Sequence, residues 1–406
     1  MASYFRHQIC CFCFFLLFAF HTVQSQSQDL TTTKNGITKP NTLATHPFGI
    51  LFYTLPHNFN SHAESKPFLD LSISSGNIWG QPVLTYVPSG ATERERMQNI
   101  DFFSRTFEFD PSQSEHEFYS FQYDGVIKDI RLAYSFPLGK KSDIRLSTRS
   151  FLLTDGKFPF STITSDQFIE YFHSNIAGGE DPFGRKVNAS NQSGVNYVDR
   201  NGNTLDIKAG EFVFSGIEVA YYYYPSVLEN HHIYLNYGLH VGTNLSAYNS
   251  SLDLGVSLAG IKKFNLRSLS ELSVGLGVNL LRKSIHKFNT TQSDLGTSNY
   301  FGSFEGHFEY AIKNRTGGFH SFGLNYRIQT PYNNKKEEDY YVPFSEDRIA
   351  RWHEAARHLY KFPSYWSLIY SFSKQMVISI YLQQDMLVNN TPDLQTGIQL
   401  RLPLSK

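Results

Sequence analysis

Residues 272–280 read Leu272-Ser273-Val274-Gly275-Leu276-Gly277-Val278-Asn279-Leu280. Leucine and valine hold every even position, and serine, glycine and asparagine every odd one. A β-strand sends successive side chains to opposite faces, so this stretch predicts a strand with one fully apolar face and one small, polar face.

The pattern recurs along the chain. At 233–245, Ile233, Leu235, Tyr237, Leu239, Val241 and Leu245 oppose Asn236, Gly238, His240, Gly242 and Asn244. At 252–258, Leu252, Leu254, Val256 and Leu258 oppose Asp253, Gly255 and Ser257. At 322–328, Phe322, Leu324, Tyr326 and Ile328 oppose Gly323, Asn325 and Arg327. Near the C-terminus, Leu394, Ile398, Leu400 and Leu402 oppose Gln395, Gly397, Gln399 and Arg401. Softer versions at 68–79, 126–136, 143–153, 211–223, 300–312, 364–373 and 376–385 bring the count to about twelve strands.

A soluble sandwich also alternates, but it buries its apolar faces between two sheets. These strands run about 10–13 residues, near the roughly 9–11 needed to cross a bilayer at a tilt of about 45°. An even strand number, an apolar outer band and aromatic girdles fit an outer-membrane barrel. The clusters Tyr221–Tyr224, Tyr300 with Phe301, and Tyr365 with Trp366 are read as those girdles. The sequence therefore predicts an all-β, transmembrane antiparallel β-barrel of about twelve strands, with long loops and a short loop helix.

Composition and the N-terminus agree. The chain has 406 residues, with 36 Lys+Arg against 36 Asp+Glu, so it lacks the basic excess that a phosphate-neutralising nucleic-acid binder needs. Arg6 followed by the apolar run Ile9–Phe20 reads as a secretory signal peptide over 1–25, too short to span a bilayer, with Val23-Gln24-Ser25 before the cleavage point. The chain's three cysteines, Cys10, Cys11 and Cys13, all fall in that segment, so a mature chain has neither disulfides nor thiolate chemistry. Three connections stand out: a polar N-terminal segment at 26–66, a Gly/Asn-rich excursion at 154–210, and a charged loop at 331–363 with a helix expected from Ser345. The barrel domain is placed at 67–406.

The densest grouping of reactive side chains lies in the 154–210 excursion. Thr164-Ser165-Asp166-Gln167 matches a capping box, and Phe168, Ile169, Phe172 and Ile176 then share an apolar face. Glu170 stands one turn before His173 and Ser174. A di-iron site needs two Glu-x-x-His units and two further carboxylates, and a single unit does not supply them. His173 and Ser174 are the pieces of an esterase but are neighbours on one helix, poorly placed to relay a proton. His353-Glu354 begins like a zinc-protease helix, yet His358 is five residues on, so the imidazoles point about 140° apart. No metal, cofactor or catalytic residue is assigned. Arg145, Arg149, Glu218, Glu305, His307, Glu309, Arg327 and Arg401 fall on polar faces and are expected to line the lumen. There they form Arg–Glu pairs across it or a charge ring selective for a permeant.

The segment Asp166-x-Phe168-Ile169-Glu170-x-Phe172-His173, followed by Gly178, Gly179 and Gly184-Arg185, resembles the signature of an uncharacterised bacterial family. That family is Domain of Unknown Function three-one-eight-seven. Val195-Asn196-Tyr197-Val198-Asp199-Arg200-Asn201-Gly202 resembles its Tyr-x-x-Asp-Gly segment, and the strands around Pro137-Leu138-Gly139 fit as well. Phe172 stands where the family usually has Trp. The resemblance implies an outer-membrane barrel without an established activity, and marks Asp166, Glu170, His173 and Arg185 as a candidate loop-helix site of unknown role.

The expected function is a barrel in the cell outer membrane that is a channel or binder for small or hydrophobic ligands, with the 154–210 excursion plugging or gating the lumen. One alternative is an outer-membrane lipid hydrolase resembling lipid A deacylase, on the loose similarity of His173-Ser174-Asn175 to its motif; another is a structural barrel without ligand. The expected partners are outer-membrane lipids, the outer-membrane assembly machinery and a small or hydrophobic ligand, with no nucleic acid.

Overall fold

The computed structural model describes residues 34–42, 48–88, 90–99, 116–154, 175, 194–199, 202–266, 270–288, 293–315, 317–333, 341–345, 348–351, 362–384 and 395–404. Twelve strands close into an antiparallel barrel. In order around the wall they are β1 (Phe68–Pro88), β2 (His116–Pro137), β3 (Ser142–Thr154), β6 (Phe212–Tyr223), β7 (Ile233–Ser246), β8 (Asn249–Asn265), β9 (Ser270–Lys287), β10 (Tyr300–Lys313), β11 (Phe319–Gln329), β14 (Ser364–Ser373), β15 (Val377–Gln384) and β16 (Gln395–Pro403). Closure is the β1–β16 ladder, from Phe68 opposite Pro403 to Gly76 opposite Gln395.

The alternation read from the sequence is the alternation of the wall. Leu239, Leu276 and Leu368 are 60%, 56% and 61% exposed on the outside. Asp253, Glu305 and His307 are fully buried inside. An apolar exterior around a polar interior is the reverse of a water-soluble domain. The aromatic clusters split between the two faces. Tyr223, Tyr300 and Trp366 point outward, but Tyr222, Tyr224, Phe301 and Tyr365 are buried inside, because adjacent residues on a strand cannot share a face.

Antiparallel pairing places the short connections 138–141, 224–232, 266–269, 314–318 and 374–376 at one end of the barrel, called here the turn end. The long connections lie at the other, the loop end, with the two-residue turn at 247–248. There β1 and β2 outgrow the wall, with β1 reaching 21 residues and β2 22, and pair on as a ribbon from Asn77–Val126 to Pro88–His116. The helix α1 (Ala91–Asn99) follows β1. Part of the 154–210 excursion is strand: β4 (Gly194–Val198) and β5 (Thr204–Lys208) form a hairpin that adds to β2, burying Val195, Tyr197, Leu205 and Ile207 on one face.

One expectation about the loops changes, and another lies outside the described residues. Where a helix was expected from Ser345, β12 (Tyr341–Ser345) and β13 (Arg348–Arg351) pair as a hairpin instead, matching the β-branched and aromatic content of Tyr341-Val342-Pro343-Phe344. The loop helix expected from Thr164, with Asp166, Glu170, His173 and Arg185, lies outside the described residues, as does the signal peptide.

Candidate functional site

The lumen is occupied by the chain's own N-terminal segment. Starting from the turn end, Lys34 meets Glu271 and Glu309 at 3.0 and 2.7 Å. Thr38 donates its amide to Glu309 at 2.9 Å, Lys39 pairs with Glu305 at 3.0 Å, and Asn41 donates its amide to Gln399. The chain reverses near the loop end at a short 3-10 turn, Gly49–Leu51. There Phe48 packs on Phe121 and Tyr197, with ring centroids 4.9 and 5.1 Å apart. A second limb returns through the barrel to β1. Ile37 donates to the Phe59 carbonyl at 2.9 Å, tying the two limbs together.

The wall is shaped to receive the returning limb. Inward-facing glycines on β7, β8 and β9 leave notches that its side chains fill. A Cβ on Gly242 would come within 2.1 Å of the Tyr53 ring, one on Gly255 within 2.6 Å of Leu55, and one on Gly277 within 2.5 Å of His57 Nδ1. A Cβ on Gly275 would meet both Ile37 and Phe59 at 2.8 Å. Tyr53, Leu55, His57 and Phe59 have the two-residue spacing of an extended chain laid against pleated strands.

Polar wall residues satisfy the segment's backbone. Arg149 donates to the Ile50 and Phe52 carbonyls, Asn249 to Leu51, Asn279 to Leu55, and Asn236 to Asn58 and Asn60. A backbone without regular secondary structure is tolerated inside a barrel only where such partners replace water.

Charges inside the barrel are met chiefly by the segment rather than from across the lumen. Glu305 takes Lys39 and also accepts from Asn325 at 2.6 Å. Arg401 pairs with Glu64 at 2.6 Å and lies over the Phe68 ring, and Arg145 is 3.4 Å from Asp70. The expected Arg–Glu pair within the wall is Arg149–Glu218, at 3.0 Å on neighbouring strands. His307 is buried 3.3 Å from Asn325, and Arg327 stands directly opposite Glu305 in the β10–β11 register. All eight residues proposed for the lumen are on inward faces, and five contact the segment or its ion-pair partners directly.

Burial sets the protonation of the segment. It drives His57 down to about 3, the Glu305 carboxylate at 3.8 Å opposing but not reversing the effect, so the imidazole is neutral at physiological pH. Burial also lowers Lys39, more than the Glu305 carboxylate restores. It acts on Lys34 too, but Glu309 and Glu271 together hold that ammonium above its ordinary value. A cavity of about 450 Å3 remains at the turn end, between the two limbs and the wall, bordered by Asn58, Lys263, Arg145, Gln399 and Arg401. The arrangement excludes solvent from the middle of the barrel and keeps a polar vestibule below it.

Comparison with known proteins finds no matching family model and no matching curated protein. Several solved structures are similar in shape. One is an outer membrane channel from Pseudomonas putida F1, with 9% identity over 87% of this chain and 100% of that one, at a TM-score of 0.37. Another is the NanC porin, with 6% identity over 68% and 94% at 0.35. A third is the CymD monoaromatic hydrocarbon channel, with 9% over 85% and 90% at 0.31. The barrel is established by its own strand pairing and does not rest on these likenesses.

The plug is the part that sequence reading assigned elsewhere. The 26–66 segment reads as polar, and plugging was expected of 154–210. Two signals were present. Phe48-Gly49-Ile50-Leu51-Phe52-Tyr53-Thr54-Leu55 is an apolar run with no strand alternation, and the glycines on the polar faces leave space that wall side chains do not fill. Neither says which segment enters, because the pairing is between residues 97 to 358 positions apart.

Proposed function

We propose that this chain is an outer-membrane β-barrel that acts as a gated channel, with residues 34–66 as its plug, and that it belongs to the Domain of Unknown Function three-one-eight-seven family its loop motif resembles. The observation that carries the gating reading is the seating of Tyr53, Leu55, His57 and Phe59 in glycine notches of an otherwise polar lumen. A purely structural barrel has no need of a polar interior; apolar packing of the same space is as stable or more so. A plug held by ion pairs and hydrogen bonds leaves behind, when it moves, a wall able to bind water and polar solute. The apolar outer band and the absence of cysteine after Cys13 support an exported, membrane-inserted chain.

Location is tested by fractionation and by gel mobility with and without boiling. An outer-membrane protein whose mobility shifts on boiling supports the reading, and a soluble one that does not shift overturns it. Gating is tested with the pair His57→Cys and Gly277→Cys in a mature chain that otherwise has no cysteine. In planar bilayers the oxidised pair is expected to hold conductance at the closed level, and reduction to restore openings. If oxidised and reduced protein conduct alike, the segment is not the gate. If neither they nor the parent conduct, the barrel is structural.

A further inference from the structure

The turn end carries a collar of cations. Lys66, Lys140, Lys141, Lys313, Arg315 and Lys374 are exposed there, and Lys262 is half-exposed. Among the described residues the acids at that end are otherwise engaged: Glu64 and Asp143 are buried, Glu271 pairs with Lys34, and Glu229 is half-exposed beside His62. Among the described residues the loop end is mixed, with Glu95, Asp206 and Asp294 exposed beside Arg96, Lys208 and Lys287.

The cations are not scattered on a polar surface. At four separate positions around the rim each stands within four residues of an exposed apolar side chain at the edge of the outer band. Leu138 precedes Lys140 and Lys141, Ile312 precedes Lys313 and Arg315, Met376 follows Lys374, and Lys262 lies over the Phe264 ring at 5.6 Å with Leu266 beyond. A collar that only attracted dissolved anions has no use for an apolar edge. A cation above an apolar side chain is the arrangement of a long side chain snorkelling to a lipid headgroup while its stem covers acyl chain.

We infer that the turn-end collar is a binding surface for anionic phospholipid headgroups in the leaflet that the turns face. Each Lys or Arg placed at headgroup level adds attraction for anionic lipid, and the attraction weakens within a Debye length as salt rises. Apart from Lys66, at the end of the plug segment, the surface lies on the wall's turns and strand ends, so it stands whether or not the barrel conducts.

The test uses the full chain in nanodiscs of phosphatidylcholine with and without phosphatidylglycerol. The lipid retained around the protein after partial delipidation is measured by native mass spectrometry. The expected result is enrichment of phosphatidylglycerol over its bulk share, on the order of tenfold at low salt and much less at high salt. The variant Lys140→Gln, Lys141→Gln, Lys313→Gln, Arg315→Gln, Lys374→Gln is expected to retain bulk composition, while the loop-end control Arg96→Gln, Lys208→Gln keeps the enrichment. Folding is checked by unchanged mobility shift on boiling, and if the fivefold variant does not fold, Lys140→Gln, Lys141→Gln alone is read for a partial loss. Equal retention of phosphatidylglycerol by folded parent and variant overturns the inference. So does displacement of the lipid by inorganic phosphate at matched phosphate concentration, which identifies a solute site.

Discussion

His57 lies directly over Gly277, so close that a single added methyl group on the wall would sit 2.5 Å from its Nδ1. The same imidazole is 2.9 Å from Ser303 Oγ and 3.2 Å from Asn279 Nδ2. The plug is thus keyed to the wall by shape and by hydrogen bonds at one point, and small changes on the wall side act on the plug without touching its sequence.

Gly277→Val is expected to lift the returning limb while leaving the wall paired. β9 exchanges its hydrogen bonds through its backbone, and valine suits a strand. The overpacking, typically about 1–3 kcal/mol, falls on plug docking. The expected outcome is faster proteolysis within residues 34–66 and more frequent channel openings, with the boiling-dependent mobility shift retained. Unchanged protease protection of the segment would show that the notch is not needed.

Glu305→Gln tests the ion pair that anchors the outgoing limb. Lys39 and Glu305 are both buried, and removing one partner leaves a buried charge at a cost of about 3–5 kcal/mol. The double change Glu305→Gln with Lys39→Met is expected to recover part of that loss, because Lys39 no longer leaves a buried charge, although Arg327 still loses the carboxylate opposite it. Plug protection against protease, measured for the four proteins, supplies the cycle. Additive losses in the double variant would show that the two residues do not act as a pair.

The pH dependence of docking follows from His57. Its pKa is lowered by burial to about 3 when docked and is about 6.5 when the limb is in water, as for an unperturbed histidine. Between those values the undocked form binds the extra proton, so docking is strongest above about 6.5 and weakens as pH falls towards 3. The groups around the imidazole are Glu305, which favours its protonation, and Lys39, Arg327 and His240, which oppose it. The ratio of closed to open channel is expected to fall by at most about tenfold per pH unit in this window, the limit for one proton. His57→Asn should remove that portion of the dependence. If His57→Asn and parent have the same profile between pH 6.5 and pH 4, other groups govern the response.

The wall was legible and its filling was not, for a reason that particular residues make plain. Leu272 to Leu280 declares its two faces locally, since a period of two needs only neighbours. The inward placing of Arg149, Glu218, Glu305, His307 and Glu309 followed from the same parity. That Glu305 would take Lys39, and Glu309 Lys34, depends on which distant segment enters the lumen, and the short alternation at 53–59 names no partner on the wall. Gly242, Gly255, Gly275 and Gly277 carried the missing half of the message as empty space. The loop-helix residues Asp166, Glu170, His173 and Arg185 stay an expectation of the sequence.

Arg149 should be the least replaceable wall residue. Its guanidinium binds Glu218 at 3.0 Å and Asn244 at 2.9 Å, and also reaches the Ile50 and Phe52 carbonyls on either side of Leu51. Those carbonyls belong to the reversal between the two limbs, where few backbone partners exist. Lysine keeps the charge but loses the planar fork, so it cannot serve Glu218, Asn244 and the reversal together. Arg149→Lys is therefore expected to release the Gly49–Leu51 turn to protease while the barrel still shifts on boiling. Arg149→Met is expected to be worse, because Glu218 is then buried without a cation, at about 3–5 kcal/mol, and barrel folding itself should suffer. Adding Glu218→Gln to Arg149→Met should restore the folding but not the protection of the turn. A double variant that regains both would mean that Arg149 acts only as the partner of Glu218.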